Sequence, residues 1–362
     1  MKVLHIHKLT GVGGSERHLL TLLPALLERG VDATFLGLDV AGSDAPRFYR
    51  ELEAPALHVP CGPDVSPRLA RDVLRAVRAE RPDLVHTHLV HADVYGATAS
   101  ALARVPLVST RHNDDRYLLG PFRYVDRLFA RRARRLIAIS DAVRRFLVSV
   151  GHPAEKLETI HYGLDEPPRE PSEVTPEAAG VPADAPLVLA VGRLTAQKDH
   201  PTLLRAFTLA RERSPGAVLA ILGIGPLERE TRALAAELGL EGALFMPGRL
   251  ELRDWLERAS VFAHSSRWEG FGIVLLEAML AGLPVAATRV SAVPEVVADG
   301  ETGLLVEPGD AQALGSALSS LLSDPGRARR LGDAGRKRAR DRFSVARMAD
   351  RTVDFYAQAL AG

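Results

Sequence analysis

The chain has 362 residues, 46% apolar and 25% charged, which is the balance of an ordinary globular protein. A single hydrophobic core rarely grows beyond about 250–300 residues, so we expect two domains. The net charge of +1 does not favour binding to nucleic acid. The single cysteine, Cys61, excludes an intrachain disulfide and a cysteine-based zinc cluster. A polar N-terminus and the lack of a long apolar run lead us to expect a cytoplasmic location.

Short apolar runs alternate with helical patterns along the first half of the chain. Such continuous apolar strands between helices are typical of a parallel sheet covered on both faces. The predicted strands are Val3–Ile6, Thr34–Leu38, Leu84–Thr87, Leu107–Ser109 and Leu136–Ile139. The predicted helices are Ser15–Arg29, Pro67–Glu80, His91–Ala103, Pro121–Arg132 and Asp141–Val150.

The second half repeats this scheme. Its predicted strands are Leu187–Val191, Val218–Leu222, Ala243–Met246, Val261–Ala263, Val285–Ala287 and Leu304–Val306, and three helices are expected from about Asp310 to Ala361. The proline-rich segment Leu164–Pro186 favours a domain boundary. We predict an α/β fold of two doubly wound, Rossmann-like domains facing a cleft, with ligands beyond the carboxyl ends of the strands. We expect the two domains to be residues 1–170 and residues 171–343.

The segment from Glu269 to Glu277 is the most informative part of the chain. It places a carboxylate, Gly270 and Gly272 before an apolar helix predicted to begin near Phe271. A helix N-terminus favours phosphate because its N–H groups are free and its dipole end is positive. Glycines let a ligand approach the backbone, and two carboxylates accept hydrogen bonds from hydroxyls. The segment indicates a site for a molecule with sugars on either side of a phosphate.

In each half of the chain, the loop after the first predicted strand is a further candidate ligand site. Gly11-Val12-Gly13-Gly14-Ser15-Glu16 opens the first helix, as a phosphate loop or a tight packing turn does, and lacks the third glycine of a dinucleotide fingerprint. In the second half, Arg193 and Lys198 lie just past the strand, where two cations can hold a leaving diphosphate or face solvent.

Histidines and glycines end two other predicted strands. His86 and His88 lie on the same side of their strand, and His91 opens the next helix. Metal binding lacks further ligands with suitable spacing, so we expect a cleft residue or a packing histidine. Gly223-Ile224-Gly225-Pro226 fits ligand contact and a sharp turn equally well.

The segment from Arg116 to Arg135 contains seven arginines and one acid, Asp126. Phe122, Val125, Leu128 and Phe129 recur in it at helical spacing. Such a basic amphipathic helix lies on an anionic membrane or packs in the fold with a solvated basic face.

Taken in order, these motifs resemble the retaining glycosyltransferases of family 4, which have the GT-B fold. The matching segments span nearly the whole chain. They are Gly13-Gly14-Ser15-Glu16, His86-Thr87-His88, Gly192-Arg193-Leu194 with Lys198, Glu269 through Glu277, Pro294-Glu295-Val296-Val297 with Gly300, and Thr302 through Val306.

The resemblance implies a nucleotide-diphosphate sugar as donor, held mainly by the second domain. It also implies that the C-terminal helix, at about 344–362, packs back on the first domain. Arg193 and Lys198 would bind the diphosphate, Glu269 the transferred sugar and Glu277 the ribose, while His88 would line the acceptor side. The implied catalytic set is His88, Arg193, Lys198 and Glu269. The implied donor-binding set is Gly13, Gly14, Gly223, Gly225, Gly270, Phe271, Gly272, Ile273 and Glu277. No metal or other cofactor is expected, because two cations would neutralise the phosphates.

The acceptor is less determined by the resemblance. We expect a hydroxyl, lipid-linked acceptors being common in the family, and a role in glycolipid, polysaccharide or glycoconjugate biosynthesis. Contact with the inner face of an anionic membrane is a hypothesis that the arginine-rich helix supports. A GT-B sugar-nucleotide epimerase or hydrolase and a non-catalytic nucleotide-sugar-binding subunit are the alternatives.

Overall fold

The fold is known from a computed structural model that describes residues 1–11, 13–62, 66–114, 116–166 and 171–361, without the side chains of residues 116 and 117. The chain divides into two compact units. Unit 1 is Met1–Gly163 with Ser344–Gly362, and unit 2 is Leu164–Phe343. The boundary predicted at residue 170 therefore lies inside unit 2, and residues 167–170 lie outside the described residues.

Each unit is built on one parallel sheet. In the described residues, the sheet of unit 1 has the strand order β3-β2-β1-β4-β5-β6-β7 and that of unit 2 the order β10-β9-β8-β11-β12-β13. The strands are β1 Lys2–Leu9, β2 Asp32–Val40, β3 Ala56–Cys61, β4 Leu84–His88, β5 Leu107–Arg111, β6 Arg135–Ala138, β7 Leu157–Thr159, β8 Leu187–Val191, β9 Val218–Leu222, β10 Leu244–Gly248, β11 Val261–His264, β12 Val285–Thr288 and β13 Gly303–Val306. Both orders are doubly wound, with the reversal beside β1 and beside β8.

Helices connect the strands, as parallel pairing requires. They are α1 Gly14–Glu28, α2 Ala45–Glu51, α3 Pro67–Glu80, α4 Leu89–Ala103, α5 Phe122–Arg132, α6 Asp141–Ser149, α7 His200–Arg211, α8 Glu228–Glu237, α9 Arg253–Arg258, α10 Ile273–Leu280, α11 Val293–Val296, α12 Ala311–Ser323, α13 Pro325–Arg342 and α14 Val345–Ala361. Among the helices of the described ranges, none combines the length and apolar character needed to cross a bilayer.

Each unit has its own hydrophobic core. In unit 1, Phe355 and Tyr356 of α14 are fully buried in a cluster with α1 and with β1 and β2. In unit 2, Phe207 of α7 belongs to a cluster that joins β8, β9 and β11 to α12. The predicted Rossmann-like fold class is therefore confirmed in both units.

Candidate functional site

The loop after β8 carries the two predicted cations. Lys198 closes a short 3-10 turn, and its aliphatic stem crosses Gly192 so closely that a Cβ there would lie 2.9 Å from Lys198 Cε. Arg193 is exposed. Its carbonyl oxygen lies 3.3 Å from Nε2 of His200, at the start of α7. In the part of the chain that the structure describes, no carboxylate pairs with the Arg193 guanidinium.

A second loop follows β11, the neighbour of β8, and is hydrogen-bonded to the first. Ser265 Oγ donates to the Lys198 carbonyl at 2.7 Å, and the Arg267 N–H donates to the Gln197 carbonyl at 2.8 Å. In the opposite direction, Gln197 Nε2 donates a hydrogen bond of 3.0 Å to the Trp268 carbonyl. These bonds fix the two loops against each other at the point where the strand order reverses.

The fixed loops bring Lys198 and Glu269 together. Lys198 Nζ lies 2.6 Å from Glu269 Oε2, and the two side chains are 14% and 13% exposed. His264 Nε2 lies 3.3 Å from the same oxygen. Burial alone would raise the pKa of Glu269, but the charge of Lys198 and the contact with His264 outweigh it and lower the pKa. Glu269 is therefore an ionised carboxylate at neutral pH.

His264 was missed by the sequence analysis. It is the last residue of β11, whereas the predicted strand ends at Ala263. Burial is the main cause that lowers the pKa of His264, with a further contribution from Lys198, against the raising effect of Glu269. The signal available in the sequence was a run of polar residues, His264 to Ser266, directly after an apolar strand.

The helix that carries Glu277 begins at Ile273, two residues later than predicted. Gly272 precedes it with a φ of +84°, and a Cβ there would lie 3.3 Å from Glu269 Cγ. Phe271 is buried against Phe343, with ring centroids 5.7 Å apart. Glu277 itself is 1% exposed. The predicted residues from Gly270 to Ile273 thus lie at the N-terminus of α10, beside the ion pair.

Gly223 and Gly225 have a visible packing role. A Cβ on Gly223 would lie 1.9 Å from the Gly192 carbonyl oxygen, and a Cβ on Gly225 would lie 2.5 Å from that of Leu194. The Leu194 N–H donates to the Ile224 carbonyl at 3.0 Å. The glycines therefore let the loop after β9 press on the loop that carries Arg193, and ligand contact by them stays a prediction.

In unit 1, the predicted glycine loop follows β1, with Val12 outside the described residues. Gly14 begins α1, and the Gly13 N–H donates to Glu16 Oε2 at 3.0 Å. Glu16 Oε1 lies 3.2 Å from His7 Nε2. His7 Nδ1 faces the His88 carbonyl at 3.2 Å. Both ring nitrogens of His7 therefore face oxygen atoms of other residues.

His88, at the end of β4, has both ring nitrogens bonded to other histidines. Its Nε2 lies 3.0 Å from His5 Nδ1, and its Nδ1 lies 3.0 Å from His112 Nε2. Burial is the main cause that lowers the pKa of His88 well below its ordinary value, so the ring is neutral. Because β1 and β4 are paired, His5 stands opposite His86. The sequence contained a signal for this contact that was missed. Two predicted strands each carry a pair of histidines two residues apart, His5 and His7 on one and His86 and His88 on the other.

The bonded chain extends beyond His88 in both directions. His112 bonds to Tyr162, and His5 Nε2 lies 3.3 Å from the hydroxyl of Tyr356. The same hydroxyl lies 2.6 Å from His86 Nδ1. Ring nitrogens of His5, His86 and His88 lie within 4.8 Å of one another, a grouping that could hold a metal ion. The absence of a metal stays a prediction.

Known proteins resemble the chain along most of its length. The family model described as "Glycosyltransferase Family 4" matches residues 12–166, and "Glycosyl transferases group 1" matches residues 172–338. The alpha-maltose-1-phosphate synthase of Mycolicibacterium smegmatis is 32% identical over 321 residues, 80% of this chain and 82% of the relative. The chain belongs to the family 4 glycosyltransferases. It is therefore an enzyme of the glycosyltransferase class, as the motifs predicted.

Two further comparisons agree with this membership. The D-inositol 3-phosphate glycosyltransferase of Xylanimonas cellulosilytica is 30% identical, over 96% of this chain and 92% of the relative. The crystal structure of Anabaena Alr3699/HepE in complex with UDP and glucose has a TM-score of 0.84 and 25% identity, covering 99% of this chain and all of that one. The predicted GT-B fold of this glycosyltransferase is thereby confirmed.

Proposed function

We propose that this glycosyltransferase moves a sugar from a nucleoside diphosphate sugar to a hydroxyl acceptor and retains the anomeric configuration. One observation carries the proposal. Lys198 and Glu269 form a largely buried ion pair between two loops at the reversal of the strand order in unit 2, where doubly wound sheets bind their ligands. The UDP and glucose bound by the HepE relative support a nucleotide-sugar donor.

The donor site combines cations, a helix N-terminus and two carboxylates. Lys198 and the exposed Arg193 bind the diphosphate and stabilise it as it leaves. The N–H groups at the start of α10 add donors for the phosphate. Glu269 accepts hydrogen bonds from the transferred sugar, and Glu277 accepts them from the ribose.

The state of Glu269 bears on the reaction mechanism. A carboxylate paired with Lys198 at 2.6 Å, with a lowered pKa, is a weak nucleophile and a good acceptor of hydroxyl bonds. We therefore favour front-face transfer, in which the leaving phosphate takes the acceptor proton, over a covalent intermediate on Glu269. The two cations neutralise the phosphates, so transfer proceeds without a metal. Activity that persists in a chelator would support this, and loss restored by a divalent ion would refute it.

The acceptor is defined by fewer observations than the donor. By the family resemblance, His88 lines the acceptor side, and Gly13 and Gly14 belong to the donor-binding residues. A lipid-linked hydroxyl at the inner face of an anionic membrane fits the arginine-rich helix, with a role in glycolipid, polysaccharide or glycoconjugate biosynthesis. The relative named for D-inositol 3-phosphate adds phosphorylated polyols to the acceptors worth testing.

A thermal-shift screen of nucleotide sugars tests the donor site. Both tryptophans, Trp255 and Trp268, lie in unit 2, so their fluorescence reports the unit that should bind the donor. A donor at about a hundred times its Kd stabilises the folded state by about 2.7 kcal/mol. Lys198→Ala should abolish the shift, and Lys337→Ala, an exposed lysine of the same unit, should retain it. Equal shifts in both variants would remove Lys198 from the site.

Transfer assays test the reaction itself. Lys198→Ala and Glu277→Ala should each reduce transfer severely, and near-normal kinetics in both would contradict the site assignment. Incubation of the donor without an acceptor separates the alternatives, because an epimerase changes the sugar unaided. Donor binding without turnover against a broad acceptor panel would instead identify a non-catalytic binding subunit.

A further inference from the structure

Unit 1 exposes a cluster of large apolar side chains on and just before α5. Of the large apolar side chains that the described residues expose, five fall in the ten residues from Leu119 to Leu128. They are Leu119 at 60%, Phe122 at 44%, Tyr124 at 60%, Val125 at 45% and Leu128 at 65% exposed. A packed helix with only a basic face in solvent, the alternative left open by the sequence, does not expose its apolar side chains in this way.

The same helix carries arginines beside the apolar residues. At about 100° per residue, Phe122, Val125, Leu128 and Tyr124 cover one arc of α5, and Arg123, Arg127 and Arg131 cover the adjacent arc. Arg132 lies within the apolar arc. The five apolar and four arginine side chains together form what we call the α5 surface. They are Leu119, Phe122, Arg123, Tyr124, Val125, Arg127, Leu128, Arg131 and Arg132.

The single acid of this helix does not reach the α5 surface. Asp126 is fully buried, 2.8 Å from Arg111 Nη1 and 2.8 Å from His152 Nε2. Burial raises its pKa, but the bond to His152 and the charge of Arg111 outweigh that effect and lower it. Arg111 also lies 2.9 Å from Asp93 of α4. The buried ion pairs therefore anchor α5 and leave its outer face with four positive charges.

A basic pocket adjoins the arginine arc. It has a volume of about 300 Å³ and is lined by Arg127, Arg131, Gly151, Pro153, Glu155 and Lys156. Lys156 Nζ donates to the carbonyls of Arg131 and Ala133 at 2.9 and 2.8 Å. The Arg127 guanidinium lies over Gly151, where a Cβ would approach Cζ to 2.8 Å. Three cations and one carboxylate line this pocket, a balance that suits an anionic headgroup.

We propose that the α5 surface docks this protein on an anionic lipid bilayer, with its apolar arc in the interface and its arginines among the lipid phosphates. Helices that lie in the membrane interface combine apolar and aromatic residues on one face with lysine and arginine on the other. A second copy of the chain is a poorer occupant, since a two-fold contact would set the same arginines against each other. The inference deepens the membrane contact of the proposed function, and it can fail while donor binding and glycosyl transfer stand.

Vesicle flotation of the full chain tests the docking surface. Vesicles of phosphatidylcholine with about 30% phosphatidylglycerol should bind the protein at about 0.05 M salt, and pure phosphatidylcholine should bind it weakly. Binding should fall at about 0.5 M salt, because surface charges are then screened. Lack of binding to the anionic vesicles at low salt, or equal binding to both compositions, would overturn the proposal.

Matched variants locate the contact on the chain. Leu128→Ser should lower the partition coefficient, whereas Leu102→Ser, at a 59% exposed leucine on α4, should not. Arg131→Glu should lower it about five-fold or more, while Arg78→Glu, at an exposed position on α3, should have a smaller effect. All four positions are on the surface, so each variant should fold, with an unchanged tyrosine near-UV signal as the check. Equal losses within each pair, or α5 variants that alter only self-association, would refute the assignment.

Discussion

The ion pair between Lys198 and Glu269 predicts a strong energetic coupling between two residues 71 positions apart. Lys198→Met leaves a buried carboxylate and Glu269→Gln leaves a buried ammonium, and removing one partner of such a pair costs about 3 kcal/mol of unfolding free energy. The double variant removes both charges and should recover part of that cost. We expect a coupling free energy of about 2 kcal/mol.

An exposed pair in the same unit is the control. Lys337 and Asp341 on α13 lie 2.5 Å apart, nearly the same distance, but are 77% and 56% exposed. Solvent screens such a pair, so Lys337→Met and Asp341→Asn should couple by no more than about 0.5 kcal/mol. Both cycles are measured by chemical unfolding with tryptophan fluorescence, which reports unit 2 because both tryptophans lie there.

The pH dependence of the Lys198→Met variant adds a second test. The charge of Lys198 lowers the pKa of His264, so its removal raises that pKa while the contact with Glu269 remains. A histidine with a lowered folded-state pKa loses stability as the pH falls below the unfolded value of about 6.5, and this loss is smaller once Lys198 no longer lowers the pKa of His264. The variant should therefore be less destabilised at about pH 6 than at about pH 8. A coupling below about 0.5 kcal/mol together with no pH effect would refute the pair as the organising contact of the site.

Three further outcomes follow from Glu277, Gly223 and the histidines of unit 1. Glu277→Gln should weaken binding of nucleoside diphosphates about ten-fold or more by calorimetry, because a hydrogen bond to a charged group contributes about 1.5–3 kcal/mol. Gly223→Ala should destabilise unit 2 by about 1–3 kcal/mol in tryptophan-detected unfolding, since its Cβ would clash with the Gly192 carbonyl, whereas Gly242→Ala, with open space around it, should not. Burial lowers the pKa of His5 to about 3. Unit 1 should therefore lose about 1.4 kcal/mol per pH unit for each such histidine as the pH falls from 6.5 towards 3, measured by tyrosine near-UV circular dichroism.

The central strands and both edge strands of unit 2 were predictable, whereas the two edge strands of unit 1 were not. Leu187–Val191 and Val218–Leu222 were predicted with the bounds that β8 and β9 have, because a strand buried on both faces is a continuous apolar run. The edge strand β3 was missed, since Pro60 interrupts it and it is half exposed. The short strand β7 at the other edge, with three residues, gives too little pattern to detect.

Site residues were predictable one by one, but their contacts were not. Arg193, Lys198 and Glu269 each follow a recognisable strand, so their place at the sheet edge could be inferred. The bond between Lys198 and Glu269 depends on β11 lying beside β8, which is a property of the strand order and not of either segment. Had the doubly wound order been applied to the predicted strands, the two loops would have been expected to meet.

The histidine network of unit 1 constrains the role predicted for His88. A neutral imidazole has one donor and one acceptor nitrogen. The bonded chain from Tyr162 through the histidines and Tyr356 to Thr110 is satisfied without a buried charge only when every ring donates in the same direction. The tautomers are therefore coupled, which explains how unit 1 tolerates these buried histidines at neutral pH.

This coupling bears on the prediction that His88 lines the acceptor side. Both of its nitrogens are engaged, so contact with a hydroxyl requires one of the two bonds to be exchanged. The exchange is cheaper at His112, which is 8% exposed, than at His5, which is fully buried. An acceptor hydroxyl that replaces His112 can donate and accept as an imidazole does, and so leaves the rest of the chain satisfied. If His88 lines the acceptor side as predicted, an acceptor would therefore reach it from the side of His112, while His5, itself bonded to Tyr356, holds the ring in place.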